Sequence, residues 1–171
     1  DGFSTLVREG WQDSLTAMRA EQDAQEARRR TAQAQALRRS PSGAVVIEHA
    51  NLFDSERMTM RPGTTVIFAQ QRVVAVGPDG SLPIPAGAER IDAAGRALLP
   101  GLWDLHTHPD IDSGPLFLAA GVTSVRDMAA EPDKPALLRV FDTSAALGPR
   151  VVYAGIIDGR GPFQGPTKML V

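Results

Sequence analysis

"GRALLPGLWDLHTHPD", residues 95–110, is the stretch on which the fold turns. It puts two of the chain's three histidines one residue apart, straight after an apolar run broken by Pro100-Gly101. "ALLPGLWDLHTH" reads as a buried strand. Side chains alternate along a strand, so Leu102, Asp104, His106 and His108 share one face while Trp103, Leu105 and Thr107 share the other. The second face is apolar enough to pack beneath helices. The first grows polar toward its end, where two imidazoles with Cα atoms about 6.5 to 7 Å apart can turn toward one point beyond the strand. Imidazole nitrogen binds a borderline divalent ion such as Zn²⁺ at about 2.0 to 2.1 Å, so the pair is a candidate metal site. A half-buried strand terminus is the competing reading. Pro109 then removes the next ladder donor and releases the chain into a loop.

Downstream of this strand the pattern alternates. "SGPLFLAAG" (113–121) reads as a short helix started by Asp112 or Ser113 and ended by Gly121, and "VTSVRDM" (122–128) as a second strand. "DKPALLRVFDTSAALG" (133–148) reads as a helix capped by Asp133, with Pro135 in its first turn and Gly148 as its stop. "RVVYAG" (150–155) is a third strand. Strand, helix, strand, helix, strand is the grammar of a parallel sheet with crossover helices.

Upstream, "AVVIEHA" (44–50), "TTVIFAQ" (64–70), "RVVAVG" (72–77) and "ERIDA" (89–93) are short β-branched runs. Turn residues at Pro62-Gly63, Pro78-Asp79-Gly80 and Pro85 to Gly87 bound them, which predicts small antiparallel sheets. The hairpin tip Gln70-Gln71 lacks the glycine that a tight primed turn prefers, leaving the register there open. Residues 1–40 contain no proline, and Phe3, Leu6, Val7, Trp11, Leu15 and Met18 recur at spacings of three and four, predicting a helix with one sticky face. From Arg19 to Arg39 charges dominate, which predicts a solvated helix that needs a partner to dock on. "SPSG" (40–43) ends the helical pattern as a linker.

Composition removes several function classes. A net charge of −2 gives no electrostatic reason to expect nucleic acid or an anionic membrane as partner. The Arg28-Arg29-Arg30 run is nearly cancelled by six acidic residues in the first forty and reads as a solvated face. Without cysteine there is no disulfide framework and no thiolate site, and the redox compartment cannot be read. No apolar run reaches the roughly 18 to 20 residues of a membrane span. The chain opens on Asp1, not Met, so the sequence is expected to start inside a longer product or after processing, and localisation stays unknown.

Together, "AVVIEHANLFD", "TTVIFAQQRVVAVG", "PAGAERIDAAGRALLPG" and "LWDLHTH" resemble the N-terminal region of the amidohydrolase superfamily, and the likeness continues through "AAGVTSVRDM" and "LGPRVVYAG". "IDAAGRALLPGLWDLHTH" is the most specific element, and its wording is similar to the imidazolonepropionase and prolidase-like branch. The resemblance implies a (β/α)₈ barrel with one or two metals, Zn²⁺ or another divalent transition metal, beside a small composite β-sandwich. It implies that His106 and His108 bind one of those ions. The remaining ligands, a lysine carboxylate or glutamate and two further histidines, and the aspartate that handles the proton come from later strands and are expected beyond residue 171. A complete barrel takes about 250 residues. The chain is therefore read as α/β, with a charged helical segment (1–40), part of a β-sandwich (44–96) and the truncated start of a barrel (97–171).

Other candidates stay open at this stage. Asp104 sits one pleat below His106, where a carboxylate can orient a ligand imidazole through its second nitrogen or act as a buried capping group. Asp127 ends the second strand and faces either the same mouth or a neighbour such as Arg126. His49 reads as structural or exposed. Lys168 is not expected to be the carboxylated lysine, which in the family falls on a later strand. For the intact protein the resemblance implies metal-assisted hydrolysis of an amide, cyclic amide or other C–N bond in a small-molecule substrate; the 171 residues alone are expected to be inactive, and homo-oligomers are possible. A non-catalytic amidohydrolase-like scaffold, or an interaction protein working through residues 1–40, is the alternative.

Overall fold

The computed structural model describes residues 7–130, 134–143 and 145–155; Phe3, Leu6, Asp133 and Lys168 lie outside the described residues. The chain is mixed α/β with an N-terminal helix and divides into two compact units. Residues Arg39–Gly101 form one; the described residues before Arg39 and after Gly101 form the other.

The helix α1 spans Leu15–Leu37. It does not reach back through the apolar residues at the start of the chain. Gly10 adopts φ +83°, in the left-handed region, and a 3-10 turn at Gln12–Ser14 follows before helical geometry begins. Trp11 and Met18 are left exposed. The charged half, expected to be solvated, is in part docked within its own unit. Ala34 is buried, the Thr31 hydroxyl donates to the Ala145 carbonyl (3.3 Å), and the largely covered Arg30 guanidinium meets Asp112 at 3.2 Å. Small residues on one side of the helix permit this approach, and the arginine stem covers apolar surface while its head finds a carboxylate.

The Arg39–Gly101 unit is one five-stranded sheet: β1 (Val45–Asp54), β2 (Thr59–Ala69), β3 (Arg72–Pro78), β4 (Glu89–Asp92) and β5 (Ala97–Leu98). The order is β3-β2-β1-β4, with β5 also on β1. It is not purely antiparallel as expected: β4 and β5 run parallel to β1. Pro62-Gly63 lies inside β2, where these two residues oppose the single Asn51 of β1 between the Ala50–Thr64 and Leu52–Arg61 pairs. Gly63 takes φ +61°, so the pair makes a bulge where sequence suggested a strand end. Gln70 and Gln71, at φ +49° and +64°, form a two-residue primed turn without glycine, and Ala69 pairs with Arg72 across it. The "ALLPGLWDLHTH" run is likewise split: Ala97–Leu98 belongs to this sheet, and Pro100-Gly101 separates it from the strand that carries the histidines.

The other unit holds a parallel sheet of β6 (Leu102–Thr107), β7 (Val122–Asp127) and β8 (Arg150–Tyr153), in that order. The crossovers carry α2 (Gly114–Ala119) and α3 (Lys134–Leu138), the latter followed by a 3-10 turn at Arg139–Phe141. Sequence predicted one helix over 133–148. It stops early because Leu138, Phe141 and Ala146 fold together into a small core, and the Phe141 ring lies where a Cβ on Gly148 would stand. Gly148 therefore serves close packing. Trp103 and Leu105, expected beneath helices, are 53% and 56% exposed.

Candidate metal centre

Register places the candidate residues. In the β6–β7 ladder Thr107 pairs with Asp127, and in the β7–β8 ladder Asp127 pairs with Tyr153, so the three C-terminal strand ends lie side by side. Backbone bonds carry the pairing past the strands: Met128 N–H donates to Thr107 O (3.1 Å) and Ala154 N–H to Asp127 O (2.8 Å). His106 is on β6, and His108 stands one residue beyond its end, next to the buried Pro109.

The two imidazoles are exposed, their ring centres 5.7 Å apart and their planes nearly perpendicular at 89°. Two imidazoles sharing a tetrahedral Zn²⁺ at about 2.0 to 2.1 Å have ring centres roughly 5 Å apart, and the observed separation is close to that. Asp127 is wholly buried. Its Oδ1 accepts from the Ala129 N–H (3.1 Å) and lies 3.5 Å from His108 Nδ1. Its Oδ2 is 2.9 Å from Lys134 Nζ but has no hydrogen-bonding partner with proper alignment, so this buried oxygen keeps unfilled acceptor capacity. A buried carboxylate against one of two convergent imidazoles is a donor set suited to a divalent cation. Among the described residues no three His, Asp or Glu side chains converge on one point, so the pair supplies part of a coordination sphere.

The other candidates sit as follows. The Asp104 carboxylate accepts from the His106 backbone N–H (3.0 Å), an arrangement that shapes the strand end and leaves the imidazole's second nitrogen to other partners. Arg126, the sequence-proposed partner of Asp127, donates instead to the Leu105 carbonyl (2.9 Å). After Pro109, Asp110 Oδ1 accepts from the N–H groups of Asp112 (2.9 Å) and Ser113 (2.7 Å), which fixes the loop leaving the site. His49 lies in the other unit, exposed, with Nδ1 3.0 Å from Asp92.

Sequence reading missed Lys134 and Tyr153. Lys134 opens α3, where a helix normally favours an acidic residue, and that misplacement was the available signal that it answers to something outside the helix. Tyr153 stands beside Asp127 in the ladder, and burial, aided by Asp142 and Asp127, pushes its phenol pKa up.

No protein-family model matches the chain. Among curated proteins it is similar to an adenine deaminase of Paracoccus denitrificans (41% identical over 64 residues; 37% of this chain, 10% of that protein). An imidazolonepropionase of Acidiphilium cryptum is 46% identical over 46 residues (27% and 12%), and a dihydroorotase of Mycobacterium tuberculosis 40% over 74 residues (37% and 17%). Among solved structures, a candidate prolidase from Bifidobacterium longum superposes with a TM-score of 0.61 at 26% identity, covering 75% of this chain and 35% of that one. Molinate hydrolase, at a TM-score of 0.60 and 23% identity (71% and 32%), shares the fold. The similarities fall among enzymes of the amidohydrolase superfamily. The chain spans between 10% and 18% of the length of the curated superfamily members it matches and about a third of the solved ones.

Proposed function

We propose that the intact protein is a metal-dependent amidohydrolase that cleaves an amide, cyclic amide or other C–N bond in a small molecule, on a (β/α)₈ barrel that β6, α2, β7, α3 and β8 begin. The observation that carries this reading is the His106–His108 pair at the C-terminal end of the first parallel strand, backed by the buried Asp127. In closed parallel barrels that end of the strands is where active sites are built. The named relatives, a deaminase, an imidazolonepropionase and a dihydroorotase, support C–N bonds as the target. The imidazolonepropionase and prolidase-like branch is the one we favour.

His106 and His108 would hold one ion of the Zn²⁺ type through ring nitrogens, with the remaining ligands and any second ion supplied by other parts of the intact protein. Such an ion activates water and polarises the scissile carbonyl. The chain's own residues aim and shelter this centre. Asp127, held off solvent at the β7 end, favours the His108 rotamer that points Nδ1 inward and leaves Nε2 for coordination. Asp104 fixes the strand end through the His106 backbone, and Pro109 turns the chain into the loop tied by Asp110.

Metal content of the intact protein decides the matter. Elemental analysis is expected to find one or two divalent transition-metal ions per chain; a metal-free, folded wild type overturns the reading. Since even losses outside the coordination sphere cost about 10- to 100-fold, His106→Ala or His108→Ala is expected to lower hydrolysis by at least that much.

A further inference from the structure

Lys134 has no role in the proposed function, yet its ammonium is brought to the buried carboxylate of the candidate centre. It is the first residue of α3, its side chain is 19% exposed, and its ammonium sits 2.9 Å from Oδ2 of the wholly buried Asp127. The opposite oxygen of that carboxylate accepts from Ala129 N–H and faces His108 Nδ1 at 3.5 Å. Oδ1 is thus directed to the histidine side and Oδ2 to the lysine side. A carboxylate rotates freely about its terminal torsion unless both oxygens are engaged. Ala129 holds one oxygen by a backbone donor, and Lys134 holds the other by charge.

We propose that Lys134 is a positioning residue for the metal ligand His108, acting through Asp127; this rests on the metal-centre reading of the site. The chain Lys134–Asp127–His108 spans three successive structural pieces: the start of α3, the end of β7 and the residue after β6. Lys134 neutralises a carboxylate that water cannot reach and fixes its plane, so that Oδ1 confronts Nδ1 of the imidazole. At 3.5 Å the contact is longer than a formed hydrogen bond, and a side-chain shift of a few tenths of an ångström toward Asp127 would close it. A carboxylate behind a ligand imidazole raises its basicity and fixes its orientation, so loosening the carboxylate loosens the metal.

The test uses the intact protein loaded with Zn²⁺, its affinity read by competition with a chromophoric chelator, and with Co²⁺, whose visible absorption reports coordination geometry. Lys134→Met is expected to weaken Zn²⁺ binding about 10- to 100-fold and to alter the Co²⁺ spectrum, while Lys134→Arg stays within a few-fold of wild type. Because Lys134→Met leaves a buried carboxylate unpaired, the double variant Lys134→Met/Asp127→Asn removes both charges as a control for folding. It is expected to fold and still bind Zn²⁺ more weakly than wild type. Wild-type affinity and spectrum in either folded variant overturn the positioning role while leaving the metal centre standing. If neither variant folds, the pair serves stability and the positioning role is overturned. A wild type that binds no metal removes the metal-centre reading, and this proposal with it.

Discussion

The two sheets treat apolar surface differently. In the five-stranded sheet the middle of β1 and β2 is closed over: Val46, Ala50, Val66 and Ile67 are all buried, as are Thr64 and Thr65. In the parallel sheet the central strand is covered at Val125 and the small Leu138–Phe141–Ala146 core packs on Val151 and Tyr153 of β8, but β6 carries Trp103 and Leu105 more than half exposed. Antiparallel hairpins can finish one buried face from neighbouring residues in sequence, whereas a parallel sheet needs both faces covered by elements that arrive later. The first sheet is therefore largely built from its own stretch of chain, and the second depends on pieces distant in sequence.

The largest expected effect follows from that dependence. Among the described residues β6 and β8 each present an unpaired edge, so the 171-residue chain expressed alone is expected to self-associate and to show no metal-dependent hydrolysis. A monodisperse monomer by light scattering, with a cooperative thermal transition and activity, would erase the contrast. Next comes Leu138→Ala in the intact protein, expected to cost about 2 to 5 kcal/mol by denaturant titration because it empties much of a small core. A loss under about 1 kcal/mol would show that core to be dispensable.

A smaller change sharpens the other side. Gln71 stands at φ +64° in the β2–β3 turn, so Gln71→Gly is expected to stabilise the intact protein by about 1 kcal/mol in the same titration. The smallest effect is electrostatic. The hydrogen bond and charge of Asp92 raise the His49 pKa above its ordinary 6.5, so that contribution to stability is complete below pH 6.5 and is lost as pH rises through the folded value. Asp92 is shifted the other way, first by the Ala94 N–H and then by His49, so its contribution is present above 3.8 and fades as pH falls through its lowered value. His49→Asn keeps a residue that tolerates φ +53° and removes the charge. The melting temperature of wild type relative to this variant is expected to fall as pH rises above 6.5; parallel curves would show that the pair contributes nothing.

Much of the local structure was legible in the residues. The strands at 102–107, 122–127 and 150–153 and the Gly121 helix end follow from periodicity and turn chemistry, whereas the two-residue Gln70-Gln71 turn forms although its residues lack the glycine such a turn prefers. Other readings failed for identifiable reasons. Pro62-Gly63 looks like a strand end, but a bulge satisfies the same residues inside a ladder. The helix expected to Gly148 stops at Leu138 because Phe141 turns into a core with Leu138 and Ala146, on which Ile111, Val151 and Tyr153 from other elements pack. The docking of Arg30 onto Asp112 spans 82 residues, and no local pattern announces a partner that far away.

The candidate centre divides along the same line. Sequence alone put His106 and His108 on one face of a strand ending at a proline, because the period of two is a property of the extended backbone itself. It also put Asp127 at the end of the next strand. Which neighbour Asp127 answers to was decided only by tertiary structure. Parallel pairing sets Thr107 opposite Asp127, the Arg126 side chain goes to the Leu105 carbonyl, and Lys134 at the start of α3 meets Oδ2. Alternation fixes which way a side chain points, but inter-strand register and crossover geometry fix what it meets, and those depend on contacts between segments that the sequence keeps apart.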